Sequence, residues 1–154
     1  MPAKTLKAFL NRQDVKYVSI QHSAAFTAPE VAASAHVSGR DFAKTVIVMI
    51  EDQMAMVALP ANRQIVLSEL RDMLDTNHVR LASEAEFKDV FPDCEIGAMP
   101  PFGNLYQMET YVTANLADEP EIAFNAGTHT EVIKMSYLDF ERLVNPTVLD
   151  FVTT

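Results

Sequence analysis

The sequence predicts an α+β fold built around a mostly antiparallel sheet. Three observations point there. Two capping patterns, Thr27-Ala-Pro-Glu30 and Ser83-x-x-Glu86, each stand before apolar residues at helical spacing. Two apolar runs, Ala43–Ile50 and residues 54–59, are separated only by Glu51-Asp52-Gln53, which reads as an antiparallel hairpin. Helical patterns are interspersed with hairpin-joined strands, and no regular βαβ alternation appears.

The elements follow in order. Residues 5–13 carry Leu6, Phe9 and Leu10 at helical spacing. Residues 15–21 alternate as a short strand does, with Val15, Tyr17 and Ser19 on one face and Val18 and Ile20 close by. Thr27 opens a helix through about His36, with Pro29 in its first turn. After the hairpin, Leu70, Met73 and Leu74 mark a helix following Ser68. Ser83 caps another, with Phe87, Val90 and Phe91 on its buried side. Residues 107–114, 122–124 and 130–135 read as strands, and Ser136-x-x-Asp139 opens a last helix carrying Phe140, Leu143 and Val144.

At 154 residues, with no internal repeat, low-complexity tract or linker, the chain is expected to be one domain over 1–154. The single cysteine, Cys94, cannot form an internal disulfide, which fits a reducing cytosol. No apolar run approaches the roughly 18 residues of a membrane span, and Met1-Pro2-Ala3-Lys4 lacks a signal-peptide pattern. A cytoplasmic protein is expected.

The formal charge of −9 argues against strong non-specific nucleic-acid binding, which needs clustered Lys and Arg. The charge is unevenly spread. Residues 1–80 hold nine basic and eight acidic side chains, whereas residues 81–154 hold three and thirteen. A polyanion is therefore expected to meet the first half, where Lys4, Lys7, Arg12 and Lys16 come early; the plainer alternative is a solvated helix face.

Phosphate-binding loops, dinucleotide fingerprints and Gly-x-Ser-x-Gly elbows are absent from the sequence. His22, His36, His78 and His129 share no metal-ligand spacing, so neither metal nor cofactor is expected. Asp93 and Glu95 flank Cys94 and disfavour its thiolate, which makes it a plain cysteine rather than a nucleophile.

Three segments remain. Gly97-Ala-Met-Pro-Pro-Phe-Gly103 holds two of only four glycines and a proline pair, so it is a rigid loop. It is either a stiff connector or a cradle whose Gly97, Ala98 and Met99 N–H groups face a developing oxyanion. Lys44 opens the most apolar strand, either as a strand-edge lysine in water or as a cation at the rim of a pocket. Asn125-Ala-Gly127-Thr-His129 is a turn whose histidine is either structural or aimed at that pocket, and His22 carries the same ambiguity.

In this order, Ala43-Lys44-Thr45, Gly97-x-x-x-Pro101 and Ala126-Gly127-x-His129 resemble the YbaK family, also called the prolyl-tRNA synthetase-associated domain family. The likeness runs over nearly the whole chain, including residues 22–30 and 136–144. It implies a barrel-like mixed sheet with surrounding helices, and hydrolysis of the ester joining a wrong amino acid to tRNA. Lys44 then matches the family's essential lysine, Gly97 to Pro101 its loop, and Gly127 and His129 its turn glycine and histidine. The implied roles are Lys44 and Gly97 in catalysis, with Thr45, Ala98, Met99, Pro101, Gly127, His129 and His22 in substrate binding. The implied partners are aminoacyl-tRNA, met at its acceptor end mainly by the N-terminal half, and an aminoacyl-tRNA synthetase. Thr45 stands where several alanine-specific relatives carry asparagine, which leaves serine, threonine or another small amino acid open. Two other readings stay open: a catalytically silent module that grips aminoacyl-tRNA or a synthetase, and a small-molecule esterase using the same pocket.

Overall fold

The structure is a computed structural model that describes residues 4–25 and 27–150. Residues 1–3, part of the start read as lacking a signal peptide, lie outside the described residues, as do Phe26 and residues 151–154.

The chain opens with α1 (Lys4–Arg12), β1 (Tyr17–Gln21) and α2 (Ala28–Ser34). The hairpin β2 (Ala43–Ile50) and β3 (Gln53–Pro60) comes next, then α3 (Leu67–Leu74), β4 (Val79–Leu81) and α4 (Glu84–Phe87). After a 3₁₀ turn at Gly103–Leu105 come β5 (Glu109–Thr113), α5 (Ala114–Ala117), β6 (Glu121–Asn125) and β7 (Glu131–Ser136). The described chain ends with α6 (Tyr137–Val144) and β8 (Thr147–Leu149).

Local chemistry sets most of these boundaries. Thr27 and Ser83 both form complete capping boxes with Glu30 and Glu86, satisfying N–H groups that the first helical turn leaves open. Ser136 accepts from the Asp139 N–H and caps α6. The β2–β3 hairpin closes on Glu51 and Asp52, both at positive φ (49° and 68°), whose turn matches the right-handed twist of the strands. Gln53 is drawn into β3 opposite Ile50, so the connection is tighter than the three residues expected.

The strands form two sheets among the described residues, in the orders β1-β7-β6 and β4-β2-β3-β5-β8. Antiparallel pairs dominate, but β5 runs parallel to both β3 and β8. The route from β3 to β5 passes through α3 and α4, and such a crossover is what parallel pairing requires. The sheets meet at a single parallel bridge between Phe42 and Ala123, so they do not close into the barrel that the resemblance suggested. Phe102, Phe124 and Phe140 fill the core between the three-stranded sheet, α1 and α6, with Phe102 5.4 Å from each of the other rings. This packing carries the Gly97 loop across to the larger sheet, where Met99 meets Ile47 of β2 and Met56 of β3.

Candidate functional site

Lys44 is half-buried at the start of β2, and its ammonium has neither an ion pair nor a hydrogen bond among the described residues. Burial depresses its pKa below the ordinary lysine value, because the charged form is poorly solvated there. It lines an open cleft of about 730 Å³ with Thr27, Ala28, Pro29, Ala61, Asn62, Arg63 and Gln64. Asn62 and Arg63 also line a smaller neighbouring cleft with Arg40, Asn115 and Glu119. A further cleft of about 690 Å³ lies toward the other end of the hairpin, between Gln53, Tyr106 and Tyr111. Its lining contains no lysine, arginine or histidine, so it holds no cationic side chain to meet an anion.

The Gly97 loop and the 125–129 turn are hydrogen-bonded into one unit. Residues 95–98 form a tight turn closed by the Ala98 N–H donating to the Glu95 carbonyl at 3.0 Å. Gly97 sits at its third position with φ +86°, the left-handed conformation that glycine enters without strain. Glu95 donates its N–H to the Gly127 carbonyl (2.7 Å), and Gly127 returns its own N–H to the Ala98 carbonyl (2.9 Å). His129 is buried, and its Nε2 lies 2.9 Å from the Ile96 carbonyl oxygen. A carbonyl only accepts, so Nε2 carries the proton in that contact. The His129 backbone N–H donates to the Glu95 carboxylate at 2.8 Å.

This geometry decides which amides face outward. The Ala98 N–H is spent inside the turn, whereas Gly97 and Met99 have no hydrogen bond among the described residues. A trans peptide holds its C=O and N–H in opposite directions, so the Ile96 carbonyl facing His129 sends the Gly97 N–H away from that ring. Gly97 is exposed, and Pro100 and Pro101 are buried behind it.

Residues 22–29 connect this unit to the Lys44 cleft. His22 and Ala25 donate backbone N–H groups to the carbonyls of Thr130 and His129 (2.9 and 3.2 Å), and Thr27 to Pro29 then line the cleft. The structure therefore brings Gly97, Gly127 and His129 together, with His22 beside them, while Lys44 stands across this segment. The His22 Nδ1 lies 2.7 Å from the Ser23 carbonyl, which leaves its buried Nε2 as an acceptor without a partner among the described residues.

Burial pushes the Cys94 thiol up to about 11, with Asp93 adding to the rise. That leaves almost no thiolate near neutral pH, in line with the sequence reading. Lys7, expected on the polyanion-binding face, is ion-paired with Glu131. Among the described residues, no group of three or more His, Cys, Asp or Glu could hold a metal, and no helix is long and apolar enough to cross a membrane.

Sequence reasoning missed Arg63, Glu95 and Asn125. Arg63 sits in an unremarkable polar stretch, and only the fold sets it beside Lys44. In the sequence Glu95 is only a neighbour of Cys94, and nothing there joins it to a turn some thirty residues later. The Asn125 Oδ1 is buried without a partner at the head of that turn.

Three comparisons bear on this arrangement. The family model of the aminoacyl-tRNA editing domain matches residues 22–143. The Multifunctional Ser/Thr-tRNA deacylase ProXp-y of Escherichia coli (strain K12) is 31% identical over 101 residues, 65% of this chain and 60% of that protein. The match thus spans about 60% of the length of the curated relatives. The crystal structure of a hypothetical protein superposes with a TM-score of 0.85 at 17% identity, covering 98% of this chain and 100% of its own. A candidate trans-editing enzyme for prolyl tRNA synthetase gives 0.81 at 19% identity, covering 97% and 95%. At these identities the two structures establish the fold.

Proposed function

The chain belongs to the aminoacyl-tRNA editing domain family, and from that premise we propose that it is a cytoplasmic trans-editing deacylase. As one domain over 1–154, it removes a misattached small amino acid (alanine, serine, threonine or cysteine) from the acceptor end of a tRNA. The observation that carries this reading is Lys44, a half-buried and unpaired cation in a cleft large enough for a terminal nucleotide. The name of the Escherichia coli relative adds support for serine and threonine.

The residues divide the work as the geometry divides them. Lys44, with Arg63 beside it, holds the terminal nucleotide through charge and hydrogen bonds. The Gly97 and Met99 N–H groups stabilise the oxyanion, where one such donor is typically worth about 10²–10³ in rate. Thr45, Pro101, Gly127, His129 and His22 shape the space for the amino-acid side chain. Water adds to the ester carbonyl and loses a proton. The tetrahedral intermediate then breaks its C–O bond to the ribose, and the released ribose oxygen takes up a proton. His129 donates its Nε2 proton to the Ile96 carbonyl, and its role in this reading is to orient that peptide. An aminoacyl-tRNA synthetase is a further partner in this reading.

The test is a deacylation panel on tRNAs charged with alanine, serine, threonine, cysteine and proline, run with wild type and Lys44→Ala. Loss of one or two amino acids to wild type, with a drop of about 10² or more for Lys44→Ala, supports the reading. If tRNA binds and none is cleaved, the chain is a binding module. Cleavage of simple amino-acid esters with no effect on charged tRNA makes it a small-molecule esterase.

A further inference from the structure

We propose that Glu95 is a positioning residue that, through His129, fixes the direction of the Gly97 N–H. The proposal rests on the deacylase reading above, in which that N–H meets the oxyanion. Glu95 touches no part of the proposed substrate; it acts on the groups that do.

One peptide unit carries the coupling. In a four-residue turn with glycine third, the central peptide can rotate by about half a turn and leave the ends of the turn in place, exchanging type II for type I. Here that peptide joins Ile96 to Gly97, and the observed φ of +86° is the type II state. Rotation would swing the Gly97 N–H to the opposite side and remove it from the oxyanion. The contact between the Ile96 carbonyl and His129 Nε2, at 2.9 Å, opposes that rotation. It does so only while the imidazole stays in place, and the His129 backbone is held by the Glu95 carboxylate at 2.8 Å. The Glu95 N–H also grips the Gly127 carbonyl at 2.7 Å, while its own carbonyl closes the turn with Ala98. One exposed residue therefore holds the turn glycine, the histidine and the loop in a single register. A carboxylate accepting a backbone N–H is a charge-assisted bond, stronger than the neutral pairs around it.

The experiment compares wild type with Glu95→Ala and Glu95→Gln. Deacylation of the preferred charged tRNA is measured beside the amide resonances of Gly97 and His129 and the hydrogen-exchange protection of His129. The alanine variant is expected to lose about tenfold or more in kcat, with KM within twofold, and to lose protection at the His129 amide. The glutamine variant, whose carboxamide oxygen still accepts that N–H, is expected to stay within about threefold of wild type. A loss of stability alone would lower the melting temperature and leave both amide signals in place below it. An alanine variant within twofold of wild type, a glutamine variant as slow as the alanine one, or an unchanged His129 amide overturns the proposal. If the wild type cleaves no charged tRNA, the deacylase reading falls, and the amide protection alone decides whether the latch exists.

Discussion

Lys44 and Thr45 are consecutive in the chain and face opposite sides of β2. Lys44 lies on the face of Val46 and Val48 and opens into the cleft with Arg63. Thr45 lies on the other face, with Ala43 and Ile47, toward the side where Met99 of the loop packs. The Thr45 hydroxyl is buried and has no partner among the described residues. In the proposed reading the two residues meet different parts of the substrate, and their substitutions should have separable effects.

Thr45→Val tests this separation. It removes a buried hydroxyl that lacks a partner and should stabilise the fold by about 1 kcal/mol. For a domain of this size that raises Tm by about 2–4 °C. Where that hydroxyl receives a serine or threonine side chain, the preference for Ser-tRNA over Ala-tRNA should fall about tenfold, because a polar group loses its buried partner. Lys44→Ala should lower both substrates together. Paired kcat/KM measurements on the two charged tRNAs decide the matter, and a higher Tm with an unchanged ratio removes Thr45 from specificity.

What was legible in the sequence was local. The capping boxes at Thr27 and Ser83 and the Ser136 cap are each decided within four residues, and all three stand in the structure. The hairpin was legible because its two strands are nearly adjacent. β4, α5 and β8 were not, since elements of three or four residues are too short to show a period. The parallel partners of β5 come from distant segments, and no pattern within 109–113 names them. The site divided in the same way. Lys44 and Gly97 stand out as residue types in odd places, but Glu95 acquires its role only once the loop meets the 125–129 turn.

The charge asymmetry yields a prediction about tRNA binding. Arg63 and Lys44 make no ion pair among the described residues, whereas Lys7 is already matched with Glu131. Each cation that meets a backbone phosphate adds close to one to the slope of log affinity against log salt. Arg63→Ala and Lys44→Ala should each reduce that slope by about one, and Lys7→Ala should change it by less. Fluorescence anisotropy with an uncharged tRNA at several salt concentrations measures this without depending on catalysis. A slope that responds to Lys7 and ignores Arg63 would move the tRNA face to α1.

Cys94 should be chemically quiet and pH-sensitive only in alkali. Its folded thiol is held at about 11 by burial, against an ordinary value of 9.0. The folded form keeps its proton longer than the unfolded form. The corresponding stability is complete below pH 9.0 and is lost as the pH rises toward about 11. A thiol reagent at pH 8 should label native protein slowly and unfolded protein fast, and Cys94→Ala should leave deacylation intact. Fast native labelling, or an inactive Cys94→Ala, contradicts both the buried thiol and the absence of a cysteine nucleophile.

Gly97→Ala and Gly103→Ala should fail for different reasons, and the contrast isolates the oxyanion peptide. At Gly97 a Cβ would meet only the His129 ring, at an ordinary 3.6 Å, so space is available. The strain there is conformational, since φ is +86° and alanine in that region costs roughly 1–2 kcal/mol. The cheapest escape is to rotate the Ile96–Gly97 peptide, which turns the N–H away from the proposed oxyanion position. Gly97→Ala should therefore lose about 2–8 °C in Tm and about 10² or more in kcat. At Gly103 a Cβ would stand 2.6 Å from the Met108 carbonyl oxygen, a backbone atom that cannot step aside. Gly103→Ala should cost more stability, about 1–3 kcal/mol or beyond. Below its melting point, however, it should keep most of its kcat, because the turn at 95–98 is untouched. Thermal melts and single-turnover deacylation on the two variants separate these outcomes. If Gly97→Ala keeps wild-type kcat, the loop is a connector and the oxyanion must be met elsewhere.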